Sequence, residues 1–192
     1  MNKADWDKIS LKELAGLINK SFERHNISAV LVGGACVSIY SKNKYQSYDL
    51  DYITNSTMRE LTVPLKEIGF IRKGSRYFKN AKCPYIIDFP APPVSIGSNE
   101  VIKEFQIYKT KRGDISLLTP TDCIRDRLAA FIYWKDRQAL EQAIMVTKAQ
   151  LELVNIKLIK QWAKRENALA KLIEYFDLFD QIKLSAHILK KP

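Results

Sequence analysis

Apolar residues return at helical spacing near the start of the chain, at Leu11, Leu14, Leu17, Ile18 and Phe22. This spacing predicts an amphipathic helix. Ser10-Leu-Lys-Glu13 precedes it as a capping box, in which Ser10 caps the Glu13 N–H and Glu13 reaches back, and the helix is expected to end near His25-Asn26. Ser28 to Val32 is a short apolar run, read as a buried strand. Gly33-Gly34 interrupts it, Ala35 to Tyr40 reads as a short helix, and Lys42 to Ser47 as a polar loop. From Tyr48 to Thr54 the pattern alternates, which puts Asp49 and Asp51 on one face of a strand and Leu50 and Tyr52 on the other. Thr57 is placed to cap a helix running to about Ile68, with Gly69 ending it.

Phe70 to Phe78 and Tyr85 to Phe89 read as two further strands, and Pro90, Pro92 and Pro93 enforce a break. Phe105–Lys109 and Ile115–Leu118 are expected to pair as a hairpin across Lys111-Arg112-Gly113. At Thr119-Pro120-Thr121-Asp122 the character changes. Thr119 suits an N-cap, Pro120 the first helical position and Asp122 the first turn. From Thr121 to Lys190 there is no glycine and no proline, which predicts three or four helices with joints near Lys135-Asp136, Val154-Asn155 and Arg165-Asn167. The expected class is therefore α/β (α+β), with a mixed, largely antiparallel sheet flanked by helices. The expected organisation is an α/β domain over 1–118 and a helical subdomain over 119–192, with a cleft between them.

Composition narrows the function classes. With 192 residues and 46% apolar content, the chain can bury a core without a metal or disulfide staple. Three cysteines (Cys36, Cys83, Cys123) and two histidines (His25, His187) show no zinc spacing, and they give poor support to a Ser-His-Asp triad. The cysteines read as small buried apolar residues with reduced thiols. Met1 to Trp6 has no signal-peptide apolar core, and a run such as Ala129 to Trp134 is far too short to span a membrane. A cytoplasmic protein with no membrane partner is expected.

The net charge is +10, with 14 basic and 9 acidic residues in 1–99 and 17 and 12 thereafter, so there is no basic tail. The balance favours an anionic partner. One local excess stands out: Arg72, Lys73, Arg76, Lys79 and Lys82 fall within eleven residues that contain no acid. That stretch reads first as a solvated face, and second as a surface for an acidic acceptor such as an RNA end. Arg125, Arg127 and Arg137 read as surface ion-pair residues with Asp122, Asp126 and Glu141, with one of the first two able to turn toward a phosphate. Trp134, Trp162, Tyr175, Phe176 and Phe179 read as helix-packing core.

Three features could carry chemistry. A Gly33-Gly34 turn between strand and helix lets backbone N–H groups approach a phosphate with no Cβ in the way. Asp49 and Asp51, on one face, repel each other unless a cation joins them, and Mg²⁺ accepts a few carboxylates together with phosphate oxygens. Asp88 lies among the apolar residues of Tyr85-Ile-Ile-Asp-Phe89, so its carboxylate needs a partner. A second metal or the proton of a substrate hydroxyl would serve.

In that order, Val32-Gly33-Gly34-Ala35, Asp49-Leu50-Asp51 and Asp88 resemble the nucleotidyltransferase superfamily that shares the DNA polymerase β core. The nearest likeness by length is to the minimal enzymes of bacterial toxin–antitoxin and antibiotic-modifying systems. The resemblance covers roughly residues 28–90. It implies transfer of a nucleoside monophosphate from an NTP, ATP among them, to an acceptor hydroxyl on RNA, protein or a small molecule. It also implies that Asp49, Asp51 and Asp88 hold Mg²⁺ at a two-metal site, that Asp88 assists deprotonation of the acceptor, and that Gly33 and Gly34 lie against the phosphates. The serine that usually follows the glycine is absent, and Ser38, one turn later, is the hydroxyl expected in its place. The rival reading keeps the fold without the chemistry, as a module that binds nucleic acid or a partner protein. A nuclease built on the same carboxylates is a third and weaker reading, since no His or Lys base adjoins them in sequence.

Overall fold

The computed structural model describes residues 6–98 and 100–189, so most of the Met1–Trp6 stretch, and Lys190, lie outside it. In chain order the elements are α1 (Leu11–Arg24), β1 (Ala29–Val32), α2 (Gly33–Tyr40), β2 (Asp49–Thr54), α3 (Met58–Glu67), β3 (Ile71–Lys73) and β4 (Tyr77–Lys79). There follow β5 (Ile86–Asp88), β6 (Ser95–Ile96), β7 (Glu100–Val101), β8 (Phe105–Tyr108) and β9 (Ile115–Leu118). The helices α4 (Pro120–Trp134), α5 (Arg137–Gln150), α6 (Ile156–Arg165) and α7 (Ile173–Leu189) complete the chain, with 3₁₀ turns at Leu151–Leu153 and Ala170–Leu172.

Seven strands form one mixed sheet in the order β3-β4-β5-β2-β1-β9-β8. β1–β9 and β2–β5 are parallel, and the other four pairings are antiparallel. Local chemistry explains the ends of the elements. Ser10 and Glu13 close a reciprocal capping box at α1, and Thr57 and Glu60 another at α3. Thr119 caps α4 with Pro120 in its first turn, and Asp136 and Asn155 cap α5 and α6.

The period-2 pattern of β2 decides which face is buried. Leu50 and Tyr52 point inward, and Phe22 of α1 meets the Tyr52 ring edge-on at 5.8 Å. Leu31 of β1, Phe78 of β4 and Ile87 of β5 join them under α1 and α3. Burying each such side chain is worth about 1.5–3 kcal/mol. The same cluster continues through Ile124 and Leu128 of α4 to Trp162 and Tyr175. The other face of β2 carries Asp49 and Asp51. Among the described residues, no helix is long and apolar enough to cross a membrane.

Three expectations need correction, and one element was not foreseen. The run Phe70–Phe78 is not one strand: Gly74, at φ +67°, turns it into the β3–β4 hairpin. The proline-rich break is followed by a small second sheet, β6–β7, which the composition did not suggest. Trp134 is 79% exposed, because α4 buries Ile124, Leu128 and Ile132 and a residue two positions on faces away. Arg137 pairs with Glu174 of α7 rather than with Glu141. All three cysteines are free and buried.

Candidate active site

β1 and β2 run antiparallel with Val32 opposite Asp51. β2 and β5 run parallel with Asp51 opposite Asp88 and Asp49 opposite Ile86. Residues paired across strands share a face, and alternate residues along one strand do too. Asp49, Asp51 and Asp88 therefore lie on the same face of the sheet, as the sequence predicts. Asp49 is exposed, while Asp51 and Asp88 are partly buried.

The chain turns from β1 into α2 beside these carboxylates. Gly33 sits at φ +65°, and a Cβ there would lie 2.8 Å from Asp51 Oδ2. Only glycine takes that conformation and that approach without strain. A Cβ on Gly34 would meet Ser47 Oγ at 3.2 Å and the Tyr45 ring at 3.3 Å. The α2 N-cap is Val32, which offers no side-chain hydrogen bond, whereas α1, α3, α4, α5 and α6 all have side-chain caps. The leading N–H groups of α2 thus have no capping oxygen, which is the arrangement that receives an anion.

Arg127 reaches the same spot from α4. Its Nη2 lies 3.9 Å from the position a Gly33 Cβ would take. Asp126 holds it through Nε (3.0 Å) and Nη2 (2.6 Å), and Gln142 accepts from Nη1 at 3.3 Å. Arg127 is thus the member of the Arg125/Arg127 pair that turns toward the carboxylates. Arg125, read from sequence as a surface residue, is buried: its guanidinium lies 2.6 Å from Glu100 and 2.8 Å from Asp122, over the Trp162 ring. Its partnership with Asp122 was legible from spacing; the one with Glu100, on β7, was not.

Burial pushes the Asp51 carboxyl up to about 6, with the neighbouring charges of Asp88 and then Asp49 adding to the effect and Arg127 opposing it. Asp88 Oδ2 pairs with Arg76 at 3.0 Å. Its other oxygen, Oδ1, is buried and accepts no hydrogen bond. Among the described residues no three His, Cys, Asp or Glu side chains are gathered into a ligand set. Asp88 leans toward Arg76 and Asp51 lies beside Arg127, as mutually repelling carboxylates would. The donor set nevertheless suits a hard divalent cation: all oxygen, on one face, with one buried lone pair unused.

Ser38 is not brought to this site. Its hydroxyl is buried, donates to the Gly34 carbonyl (3.3 Å) and accepts from the Ser47 N–H (2.8 Å), so it fastens the loop after α2. Two hydroxyls lie beside Gly34, those of Ser47 (3.2 Å from a Cβ there) and Tyr45 (3.4 Å), and Ser47 also donates to the Asp49 carbonyl at 2.9 Å. Ser47 and Tyr45 are not among the site residues expected from sequence; their one signal is an aromatic residue and a serine inside a loop otherwise made of Lys, Asn and Gln. Arg76 is expected only as part of the basic stretch open to an acidic acceptor, and nothing near it in sequence places it beside Asp88.

No family model and no curated protein matches the chain. Solved structures do. The antibiotic-resistance factor ANT(2″)-Ia superposes with a TM-score of 0.53 at 11% identity, over 87% of this chain and 96% of that one. A lincosamide antibiotic adenylyltransferase, LnuA, in its lincomycin-bound form, gives 0.50 at 16% identity, over 72% and 97%. An antigenic nucleotidyltransferase-like protein from Paracoccidioides brasiliensis gives 0.58 at 14%, over 90% and 92%. At such identities the likeness is one of architecture, and it establishes that this chain adopts the nucleotidyltransferase fold.

Proposed function

We propose that this protein is a nucleotidyltransferase that moves a nucleoside monophosphate from an NTP to an acceptor hydroxyl and releases pyrophosphate. The observation that carries this reading is the alignment of Asp49, Asp51 and Asp88 on one sheet face beside the uncapped Gly33-Gly34 start of α2. Two proteins of the same fold support it: one is a lincosamide antibiotic adenylyltransferase, and another was crystallised with adenylyl-2″-tobramycin.

In this reading the triphosphate lies over the start of α2. The backbone N–H groups there donate to its oxygens, Gly33 lets the chain turn tightly beside Asp51 to present them, and Arg127 offsets part of its charge. Asp49, Asp51 and Asp88 would hold Mg²⁺. When bound, the metal supplies charge neutralisation for the phosphates and the departing pyrophosphate. Asp88, next to the open β3–β4 hairpin, receives the proton of the acceptor hydroxyl. The acceptor oxygen then forms a bond to the α-phosphorus as the bond from that phosphorus to the β-phosphate bridging oxygen breaks. Arg76, ion-paired to Asp88 through Oδ2, holds that carboxylate in place beside the acceptor.

The carboxylate cluster also argues against a fold kept only for binding. Asp51 is driven up to about 6, so its charge is held at a cost in stability. An inert module has no use for that cost. The test is transfer of label from α-phosphate-labelled ATP in the presence of Mg²⁺. Asp49→Asn and Asp51→Asn are each expected to keep the wild-type circular dichroism spectrum and to lose at least about a hundredfold in rate, as removal of a charge-stabilising group does. Full activity in either variant overturns the assignment.

A further inference from the structure

The pairing registers extend the carboxylate row across four strands to the edge of the sheet. Asp51 pairs with Asp88, Asp88 with Tyr77, and Tyr77 with Lys73. The adjacent row, Asp49, Ile86, Lys79 and Ile71, runs alongside and shares the face. At about 4.8 Å per strand, the strip reaches about 14 Å from Asp51 to Lys73. Along β4 it is open to solvent where the opposite face is buried, and the edge strand β3 is exposed on both faces. Ile71 is 60% and Tyr77 39% exposed, while Phe78 and Ile87, one residue along and facing the helices, are fully buried.

The strip combines a solvent-facing tyrosine ring with cations on either side of it. Lys73 and Lys79 are exposed and make no ion pair among the described residues, and Arg76 stands at the tip of the hairpin. An aromatic face flanked by cations on an open sheet is how proteins hold single-stranded nucleic acid: bases stack on the ring and phosphates meet the cations. At the β3–β4 end a polycationic small molecule would meet like charge. We therefore infer that the β3–β4 face is the acceptor subsite, and that it takes a single-stranded nucleic acid. In this arrangement a base stacks on Tyr77, the backbone follows Lys73 and Lys79, and the terminal hydroxyl is delivered to Asp88. This inference names the acceptor of the transfer proposed above and rests on that reading.

The test uses the full chain and a fluorescein-labelled single-stranded RNA of about 12 nucleotides, within the span of one single-strand surface. A DNA arm of the same sequence separates the two sources of the strand. Binding is followed by anisotropy against salt. Lys73→Ala/Tyr77→Ala/Lys79→Ala is expected to weaken binding at least about tenfold and to flatten the log–log salt dependence by about 1.4, two phosphate contacts at about 0.7 each. Calorimetric binding of Mg-ATP is expected to be unchanged, which shows the variant folded. A control, Arg59→Ala/Lys66→Ala on α3, removes as much charge elsewhere and is expected to bind as the wild type does.

Equal binding by the strip variant and wild type, or equal loss in the control, overturns the inference. Transfer of label to a protein or a small molecule, with no nucleic-acid binding, overturns the subsite and leaves the transferase reading standing. Nucleic acid bound on the strip, with no transfer from any NTP to any acceptor, overturns the transferase reading and the acceptor role with it.

Discussion

Replacing Asp51 with asparagine is expected to make the metal-free protein more stable while abolishing its chemistry. The side chain keeps its shape and loses its charge. In the folded chain the Asp51 carboxyl is raised from 3.8 to about 6, by burial first and then by Asp88 and Asp49. The folded protein therefore retains a proton that the unfolded chain releases across this window, so stability falls as pH rises from about 4 to 6. Above that window the wild type carries a penalty that the asparagine lacks. A gap of about two pH units corresponds to at most about 3 kcal/mol. Asp51 keeps some solvent contact, and screening brings the expected gain to about 1–2 kcal/mol. For a chain of this length that is a rise in Tm of about 2–8 °C. The assay is thermal and urea unfolding of both proteins in EDTA between pH 4 and pH 8. The gain should be full at pH 8 and shrink as the pH falls toward 4, where the aspartate is also largely neutral. A difference that does not vary with pH, or a variant less stable at pH 8, would refute the reasoning.

The other predictions concern the supports of the site. Gly33→Ala, at φ +65° with its Cβ 2.8 Å from Asp51 Oδ2, should cost about 1–3 kcal/mol in urea unfolding and raise KM for the NTP. Arg127→Met should leave Asp126 unpaired and raise KM for the NTP about tenfold, with a smaller change in kcat, in steady-state assays. Arg125→Met should destabilise by about 3–5 kcal/mol in the same unfolding assay, because Glu100 and Asp122 lose a buried partner.

Local signals carried most of the fold. The Ser10–Glu13 and Thr57–Glu60 boxes and the Thr119-Pro120 start are contained within single turns, so the helices that they open could be read residue by residue. The alternation of Asp49, Leu50, Asp51 and Tyr52 placed two carboxylates on one face, because strand geometry has a period of two. What the sequence could not show are choices made between distant segments. Arg125 is buried because Glu100 arrives from β7, and nothing near Arg125 announces it. Asp88 meets Arg76 across a hairpin whose turn at Gly74 was hidden inside an apparently continuous strand. Ser38 lay one helical turn beyond the glycines and looked available, but the return of the loop spends its hydroxyl on Ser47. Trp134 was misplaced by residue type alone: its offset from Ile132 already put it on the outer side of α4.

The central claim is transfer of a nucleotidyl group by Asp49, Asp51 and Asp88, and one comparison tests it most directly. The purified protein is incubated with Mg²⁺ and ATP labelled on either the α- or the γ-phosphate, in the presence of cell extract treated to inactivate its own enzymes, alongside an Asp88→Asn variant. The α-label is expected to enter an acceptor in the extract, the γ-label to leave as pyrophosphate, and the variant to do neither. Transfer of the γ-label to the acceptor, or an Asp88→Asn protein as active as the wild type, would contradict it.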